Sequence, residues 1–236
     1  MSSLYTLTKA DGQNPLYDTD DAGRITSSVE ELALGLGWER KADIGEGTGI
    51  GKAKGWLARK QREAKGQTDP ADLDAGALFF VGDKPTKYLG FDNFEPFKDE
   101  PSQREKQSAT HTGDSVRGEG DGDDEKIVLK LRDIPARFTK ILLVVGAFKP
   151  GSDITAAHDI KATVYDRTGG TETAVAQIEP SLLEDKNVLA IASVLRETEA
   201  DGRTPTGQWL LEVADASFNV QKGDIRSLLR NSLTVF

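Results

Sequence analysis

The sequence predicts a mainly all-β fold: a two-sheet β-sandwich with one or two short helices. Seven or eight short apolar segments are separated by glycine, proline and aspartate, which are residues that favour turns. No helical pattern between these segments is long enough for the crossover that joins parallel strands. A sandwich of 236 residues fits one domain. The pattern therefore favours antiparallel sheets within a single domain.

The apolar segments set the expected order of elements along the chain. Residues 1–31 are polar and predict turns or a loose N-terminal arm, followed by one sandwich domain over residues 32–236. A basic insertion at about residues 39–69 interrupts the domain, and its residues 55–66 predict a short helix. Residues 92–112 predict a long loop, and residues 223–231 a closing helix. The strand candidates are residues 32–38, 77–81, 126–131, 140–148, 159–165, 173–178, 188–195 and 208–213.

Composition excludes several classes of site. The chain has no cysteine, which excludes disulfides, zinc–thiolate sites and a cysteine nucleophile. With two histidines, His111 and His158, imidazole-rich metal sites are not expected. A formal charge of -9 argues against nucleic-acid binding, because a phosphate backbone would be repelled. The start of the chain lacks an apolar signal region, and its most apolar run, residues 141–148, is too short for a membrane span. A cytoplasmic protein without an integral membrane segment is expected.

An acidic, glycine-rich segment is the most distinctive feature of the chain. Residues 111–125 read HTGDSVRGEGDGDDE, and the segment ends where the strand KIVLKL begins. Two like charges about 5 Å apart repel by roughly 3 kcal/mol at an effective dielectric near 20, so a bound cation would stabilise a folded loop. The glycines permit left-handed backbone angles that turn carbonyl oxygens inward. Six to eight flexible oxygen ligands are typical of calcium, and magnesium prefers a stiffer octahedron.

Two shorter oxygen-rich patterns lie upstream of this segment. Asp72 and Asp74 flank Leu73, so in a strand both carboxylates project from one face. Asp92 and Asn93 form a further pair. The acidic segment and the Asp72/Asp74 pair each have a simpler interpretation, since an Asp/Gly run is often a solvated connector and an acidic pair often marks a solvated strand edge. An EF-hand is excluded, because counting from Asp121 places lysine and arginine at its sixth and twelfth positions.

Taken together, these segments resemble the TerD family of tellurium-resistance and stress-response proteins. The most specific match is the segment from Thr112 to Glu125, which resembles the family pattern HTGDN, a short gap, then GEGDGDDE before a strand. Supporting matches are LGLGW at residues 34–38, DLDAGALFF at 72–80, FDN at 91–93 and IPARFTKILLVV at 134–145. The resemblance extends from Leu32 to Phe218.

The resemblance implies a β-sandwich with calcium sites, more than one ion, clustered at one end. Carried over by position, the implied metal ligands are Asp72, Asp74, Asn93, Asp114, Asp121, Asp123, Asp124 and Glu125, with backbone carbonyls near Gly118. The chain departs from the family pattern at Ser115, which replaces the asparagine of GDN, and at Glu39, which replaces the aspartate of GLGWD. The insertion at residues 39–69 is longer than usual, and the later RGQxFGQV and ARYDL segments have no match. These departures indicate a divergent member.

The resemblance favours a non-enzymatic calcium-binding module of a stress-response assembly, with other proteins of that assembly, some membrane-associated, as partners. A different class of function also fits the acidic residues: a carboxylate-bound metal hydrolase acting on phosphate esters. No P-loop supports that alternative, since GTGIGKA at residues 47–53 has the wrong spacing. The basic segment at residues 52–65 adds a third hypothesis, contact with anionic lipid, although a solvated basic face explains it more simply.

Overall fold

Two six-stranded sheets and a separate two-stranded hairpin make up the structure, a computed structural model that describes residues 5–40, 72–112, 123, 125–180, 186–202, 204–222 and 224–232. The strands are β1 (Tyr5–Thr6), β2 (Gln13–Pro15), β3 (Tyr17–Thr19), β4 (Ile25–Ser28), β5 (Glu31–Arg40), β6 (Asp74–Val81), β7 (Lys84–Leu89), β8 (Ala109–His111), β9 (Glu125–Lys130), β10 (Lys140–Gly146), β11 (Ala157–Asp166), β12 (Thr173–Ile178), β13 (Val188–Thr198) and β14 (Pro205–Phe218). The helices are α1 (Gln103–Lys106) and α2 (Ile225–Asn231), with 3-10 turns at Lys9–Asp11, Ile154–Ala156 and Thr168–Gly170. The predicted β-sandwich is confirmed.

Strand pairing is almost entirely antiparallel. Sheet A has the order β1-β12-β11-β5-β9-β8, and sheet B has the order β2-β14-β13-β10-β6-β7. Among the described strands, β1 and β12 of sheet A are the one pair that runs parallel. β3 and β4 form the separate antiparallel hairpin. Antiparallel neighbours need only short connections, which is why the sequence shows no crossover helices.

The core lies between the two sheets, and β6 shows how the sequence specifies it. Ala75, Ala77 and Phe79 of β6 face the core between the sheets, whereas Leu78 and Phe80 belong to a second apolar cluster on the outer side of sheet B. Because β6 is buried on both faces, its sequence is a continuous apolar run rather than an alternating one. β6 is thus an interior strand, and its first residue, Asp74, lies at one end of the sandwich.

The structure departs from the sequence prediction mainly in the polar segments. The N-terminal segment, predicted as turns or an arm, contributes β1 at the edge of sheet A and β2 at the edge of sheet B. Residues 92–112, predicted as a loop, contain α1 and β8. These elements are two to four residues long, too short for a hydrophobic period to show in the sequence. Neither described helix has the length and hydrophobicity needed to cross a membrane.

The predicted core strands are confirmed, most of them with longer bounds. β13 and β14 extend several residues beyond the apolar segments that predicted them, because their outer ends continue into half-buried and exposed residues. The closing helix begins at Ile225 rather than at residue 223. The helix predicted at residues 55–66 lies outside the described residues.

Candidate metal centre

Two buried carboxylates lie side by side at the start of β6. The exposed fractions of Asp72 and Asp74 are 1% and 0%, while Leu73 between them is 0% exposed and packs in the core between the sheets. The alternation is the one that strand spacing predicts. Burial argues against a solvated strand edge as the explanation of this pair, since an ionised carboxylate is rarely taken out of water without compensation.

A lysine from the segment that follows the neighbouring strand β10 provides part of that compensation. Lys149, three residues after the end of β10, places its Nζ 3.1 Å from Asp72 Oδ2 and 3.3 Å from Asp74 Oδ1. β10 pairs with β6 in a register that sets Gly146 opposite Asp74, which brings the segment after β10 alongside the two carboxylates. The ammonium therefore contacts both carboxylates and lowers the cost of burying their negative charge.

Glu125 lies close to this pair but points into the space between the sheets. It is 1% exposed, and its position opposite Leu36 in sheet A directs its side chain towards the core. Its Oε2 accepts a hydrogen bond of 2.7 Å from the backbone N–H of Ala75 and lies 3.4 Å from His111 Nε2. Glu125 therefore ties the start of β9 to the residue that follows Asp74 in β6.

Tyr88 places a buried hydroxyl near Asp74 and Glu125, at the end of the sandwich where Asp72, Asp74 and Glu125 lie (the acidic end). Burial raises the pKa of Tyr88 well above its ordinary value, and the negative charges of Asp92, Asp74 and Glu125 raise it further. The hydroxyl lies directly over Gly90, where a Cβ atom would overlap it, and it finds no hydrogen-bond acceptor among the described residues. Tyr88 thus adds a buried oxygen to the surroundings of the carboxylates.

Asn93 closes the turn that follows β7. Its side-chain amide donates a hydrogen bond to the backbone oxygen of Tyr88, and Gly90 and Asn93 exchange two backbone hydrogen bonds of 3.1 and 3.0 Å. The amide nitrogen of Asn93 is thus committed to holding the turn. This turn places Asn93 and Asp92 next to Tyr88.

Asp123 is held on the opposite face of sheet A. Its carboxylate occupies the position that a side chain at Gly35 would fill, and its Oδ2 lies 3.2 Å from Lys126 Nζ. Gly35 pairs with Lys126, whereas the next pair along the strands, Leu36 with Glu125, faces the core. Asp123 and Glu125 therefore lie on different sides of the sheet, and the structure does not bring Asp123 to the Asp72 and Asp74 pair.

The environment of Asp123 leads to a prediction about Tyr165. Burial first, and then the hydrogen bond to Asp123, raise the pKa of Tyr165 to about 12. Because this value exceeds the value of about 10 for an unfolded tyrosine, the neutral phenol contributes stability below pH about 10 that is lost as the pH rises through about 12. In chelator-treated protein, Asp123→Asn is expected to lower this pKa. The measurement is the ultraviolet titration of phenolate, with the Tyr165→Phe titration subtracted to isolate one residue. An unchanged titration in Asp123→Asn would show that Asp123 does not hold the phenol.

The donor atoms at this end of the sandwich fit a hard divalent cation. Asp72 and Asp74 supply carboxylate oxygens, the ligand type that calcium and magnesium take, whereas the carboxylate of Glu125 faces the core between the sheets. Within the described ranges, no group of three or more histidine, cysteine, aspartate or glutamate side chains lies close enough together to hold an ion by itself. The other implied ligands, Asp114, Gly118, Asp121 and Asp124, lie outside the described residues. Calcium binding therefore stays a prediction.

Sequence reasoning missed two residues of this end. Lys149 lies in a stretch, FKPGS, with no acidic or glycine-rich pattern, so its contact with the carboxylates follows only from the β6–β10 register. Tyr88 lies in a segment that the sequence did not predict as a strand, because KPTKYL begins with polar residues and proline. The nearby motif GFDNF was the only signal that pointed to this turn.

Comparisons with known proteins agree with the fold and the motifs. The model of the TerD domain matches residues 23–208. The tellurium resistance protein TerD of Serratia marcescens is 38% identical over 122 residues, which cover 52% of this chain and 50% of that protein. The tellurium resistance protein TerZ of the same organism is 29% identical over 151 residues, 64% of this chain and 67% of that protein.

A solved structure is similar in fold. The crystal structure of a homologue of telluride resistance protein (TerD) from Streptomyces coelicolor matches with a TM-score of 0.54 at 14% identity, covering 85% of this chain and 96% of that one. The chain spans about half the length of the TerD protein that it matches. Since the family match covers most of the chain, from residue 23 to residue 208, this protein belongs to the TerD domain family.

Proposed function

We propose that this chain is a non-enzymatic calcium-binding module of a TerD-type stress-response and tellurium-resistance system. The observation that carries the proposal is the pair of buried carboxylates, Asp72 and Asp74, whose oxygens lie side by side at the start of β6. A divalent ion would compensate both carboxylates, and family membership makes calcium the ion to test first. The acidic segment at residues 113–124 would supply further ligands for more than one ion.

The role of calcium in this proposal is to stabilise the acidic end of the sandwich. An ion that binds the folded state alone, at 100 times its Kd, adds about 2.7 kcal/mol to the free energy of unfolding. For a domain of this size, a change of that magnitude raises Tm by about 5–10 °C. The other proteins of the system would then meet a surface whose order depends on calcium.

Titration of calcium into chelator-treated protein, followed by thermal unfolding, tests the proposal. Tm is expected to rise with calcium in the wild type, and most of the rise is expected to be lost in the double variant Asp72→Asn/Asp74→Asn. The chain offers a matched control in Asp18 and Asp20, which have the same spacing in and just after β3 and lie in an exposed or half-exposed hairpin. Asp18→Asn/Asp20→Asn is expected to keep the full calcium response. No rise in Tm with either calcium or magnesium would contradict the proposal.

The alternative of a phosphate-ester hydrolase stays a prediction of the sequence. A screen of generic phosphate esters with calcium, magnesium or manganese would test it, and turnover that disappears in Asp72→Asn/Asp74→Asn would favour the hydrolase.

A further inference from the structure

We infer that Lys149 is an internal counter-ion of the Asp72 and Asp74 pair, and that a divalent ion binds there only by displacing it. The inference rests on the proposed function, which makes the pair a metal site. Lys149 would set the affinity of that site without being one of its ligands.

The ammonium of Lys149 lies between the two carboxylates. Lys149 Nζ lies 3.1 Å from Asp72 Oδ2 and 3.3 Å from Asp74 Oδ1, so it bridges the two carboxylates instead of pairing with one. The carboxylates are 1% and 0% exposed, whereas the lysine side chain is 20% exposed. The ammonium is therefore the more exposed partner of a buried acidic pair.

The backbone of Lys149 is held by hydrogen bonds within the turn at residues 149–152. The backbone oxygen of Lys149 accepts hydrogen bonds from Ser152 N at 3.2 Å and from Ser152 Oγ at 2.7 Å. Ser152 is itself buried, and its carbonyl accepts a hydrogen bond from Lys222. These hydrogen bonds hold the turn at residues 149–152. The four-carbon side chain of Lys149, whose Nζ also lies 5.7 Å from the centroid of the Phe91 ring, can change rotamer without moving that backbone.

The ammonium of Lys149 and a calcium ion cannot occupy the carboxylate pair at the same time. Calcium coordinates carboxylate oxygens at 2.3–2.6 Å, and an ammonium that bridges the same two carboxylates from about 3 Å occupies the space that such an ion needs. Two cations on one pair would also repel each other. Binding is therefore an exchange, and the observed affinity falls by the fraction of molecules in which the lysine has left.

Removing the ammonium tests this exchange. Lys149→Met keeps the length and apolar stem of the side chain, and it is expected to bind calcium about tenfold more tightly than the wild type if the lysine leaves the pair in about a tenth of the molecules. Lys149→Arg keeps the positive charge and is expected to stay close to the wild-type Kd. The matched control is Lys84→Met, which removes one lysine at the opposite, exposed end of the β6–β7 hairpin. It is expected to leave the Kd unchanged.

A second measurement uses the wild type and does not depend on whether a variant folds. Reductive methylation, read by mass spectrometry, reports how accessible each lysine ammonium is. Methylation of Lys149 is expected to be slow in chelator-treated protein and to increase on addition of calcium, while that of Lys84 stays constant. Methylation of Lys149 that calcium leaves unchanged or slows would overturn the inference.

The outcomes separate this inference from the proposed function. If the wild type binds calcium and Lys149→Met binds it with the same Kd, the inference is wrong and the proposed function stands. If neither protein binds calcium or magnesium, the proposed function fails and the inference fails with it. If only Lys149→Met binds, the lysine fully replaces the metal in this chain, which supports the inference and contradicts calcium binding by the wild type.

Discussion

Replacing Glu125 with alanine is expected to lower the free energy of unfolding by about 3–5 kcal/mol, the loss typical of removing one partner from a buried charged interaction. The change would leave the N–H of Ala75 without its acceptor in the core, 2.7 Å from where the carboxylate oxygen was. It would also leave a cavity beside His111, whose side chain is fully buried. Urea unfolding of chelator-treated protein measures the effect.

The same measurement separates a positioning role for Glu125 from a role as a calcium ligand. A glutamate present only to bind metal would repel its acidic neighbours in the metal-free state, so its removal would leave stability unchanged or increase it. A loss below about 1 kcal/mol would thus contradict the positioning role. Glu125→Gln keeps an acceptor for Ala75 and is expected to recover most of the loss. Glu179→Ala, at an exposed position, is the control and is expected to change stability by less than about 0.5 kcal/mol.

Replacing Gly90 with alanine is the second change with a large expected effect, a loss of about 3 kcal/mol at the upper end of the range for overpacking. The new Cβ would overlap the hydroxyl and two ring carbons of Tyr88. Tyr88 is 4% exposed, so its ring has little room to move aside. The backbone at Gly90 has no left-handed angle, and the loss would therefore come from the clash alone. Urea unfolding measures it.

Gly35→Ala is the matched control for this prediction. The atoms nearest to its Cβ belong to the carboxylate of Asp123, which is the end of a flexible side chain on the outer face of sheet A and can shift by a rotamer change. Its stability is expected to change by less than about 1 kcal/mol. If Gly90→Ala were as stable as Gly35→Ala, the packing of Tyr88 against Gly90 would not hold the turn after β7.

The core strands were predictable because each one carries its own signal. Thr173–Ile178 was predicted with its observed bounds, and the apolar run at residues 77–81 indicated an interior strand from its composition alone. The spacing of Asp72 and Asp74 likewise predicted that their carboxylates share one face, since alternation along a strand is a local property. Features that depend only on residues close together in the chain were therefore predictable from the sequence.

The contacts that shape the acidic end depend instead on residues far apart in the chain. Lys149 is 77 positions beyond Asp72 and meets it because β10 pairs with β6 in one particular register. The hydrogen bond from Ala75 to Glu125 crosses from one sheet to the other. No periodicity within a segment encodes register between strands or the choice of facing residues in a second sheet, so these contacts emerged only from the folded chain.

The separation of Asp123 from Glu125 limits how many acidic side chains one ion can touch. Packed sheets lie about 10 Å apart, and Glu125 reaches across that gap towards Ala75 while Asp123 rests on the far surface of sheet A. Because the two carboxylates project from opposite faces of sheet A, with the backbone of the sheet between them, one ion is not expected to coordinate both. An ion held by Asp123 would therefore be a different ion from one held by Glu125, and the two would bind with independent affinities.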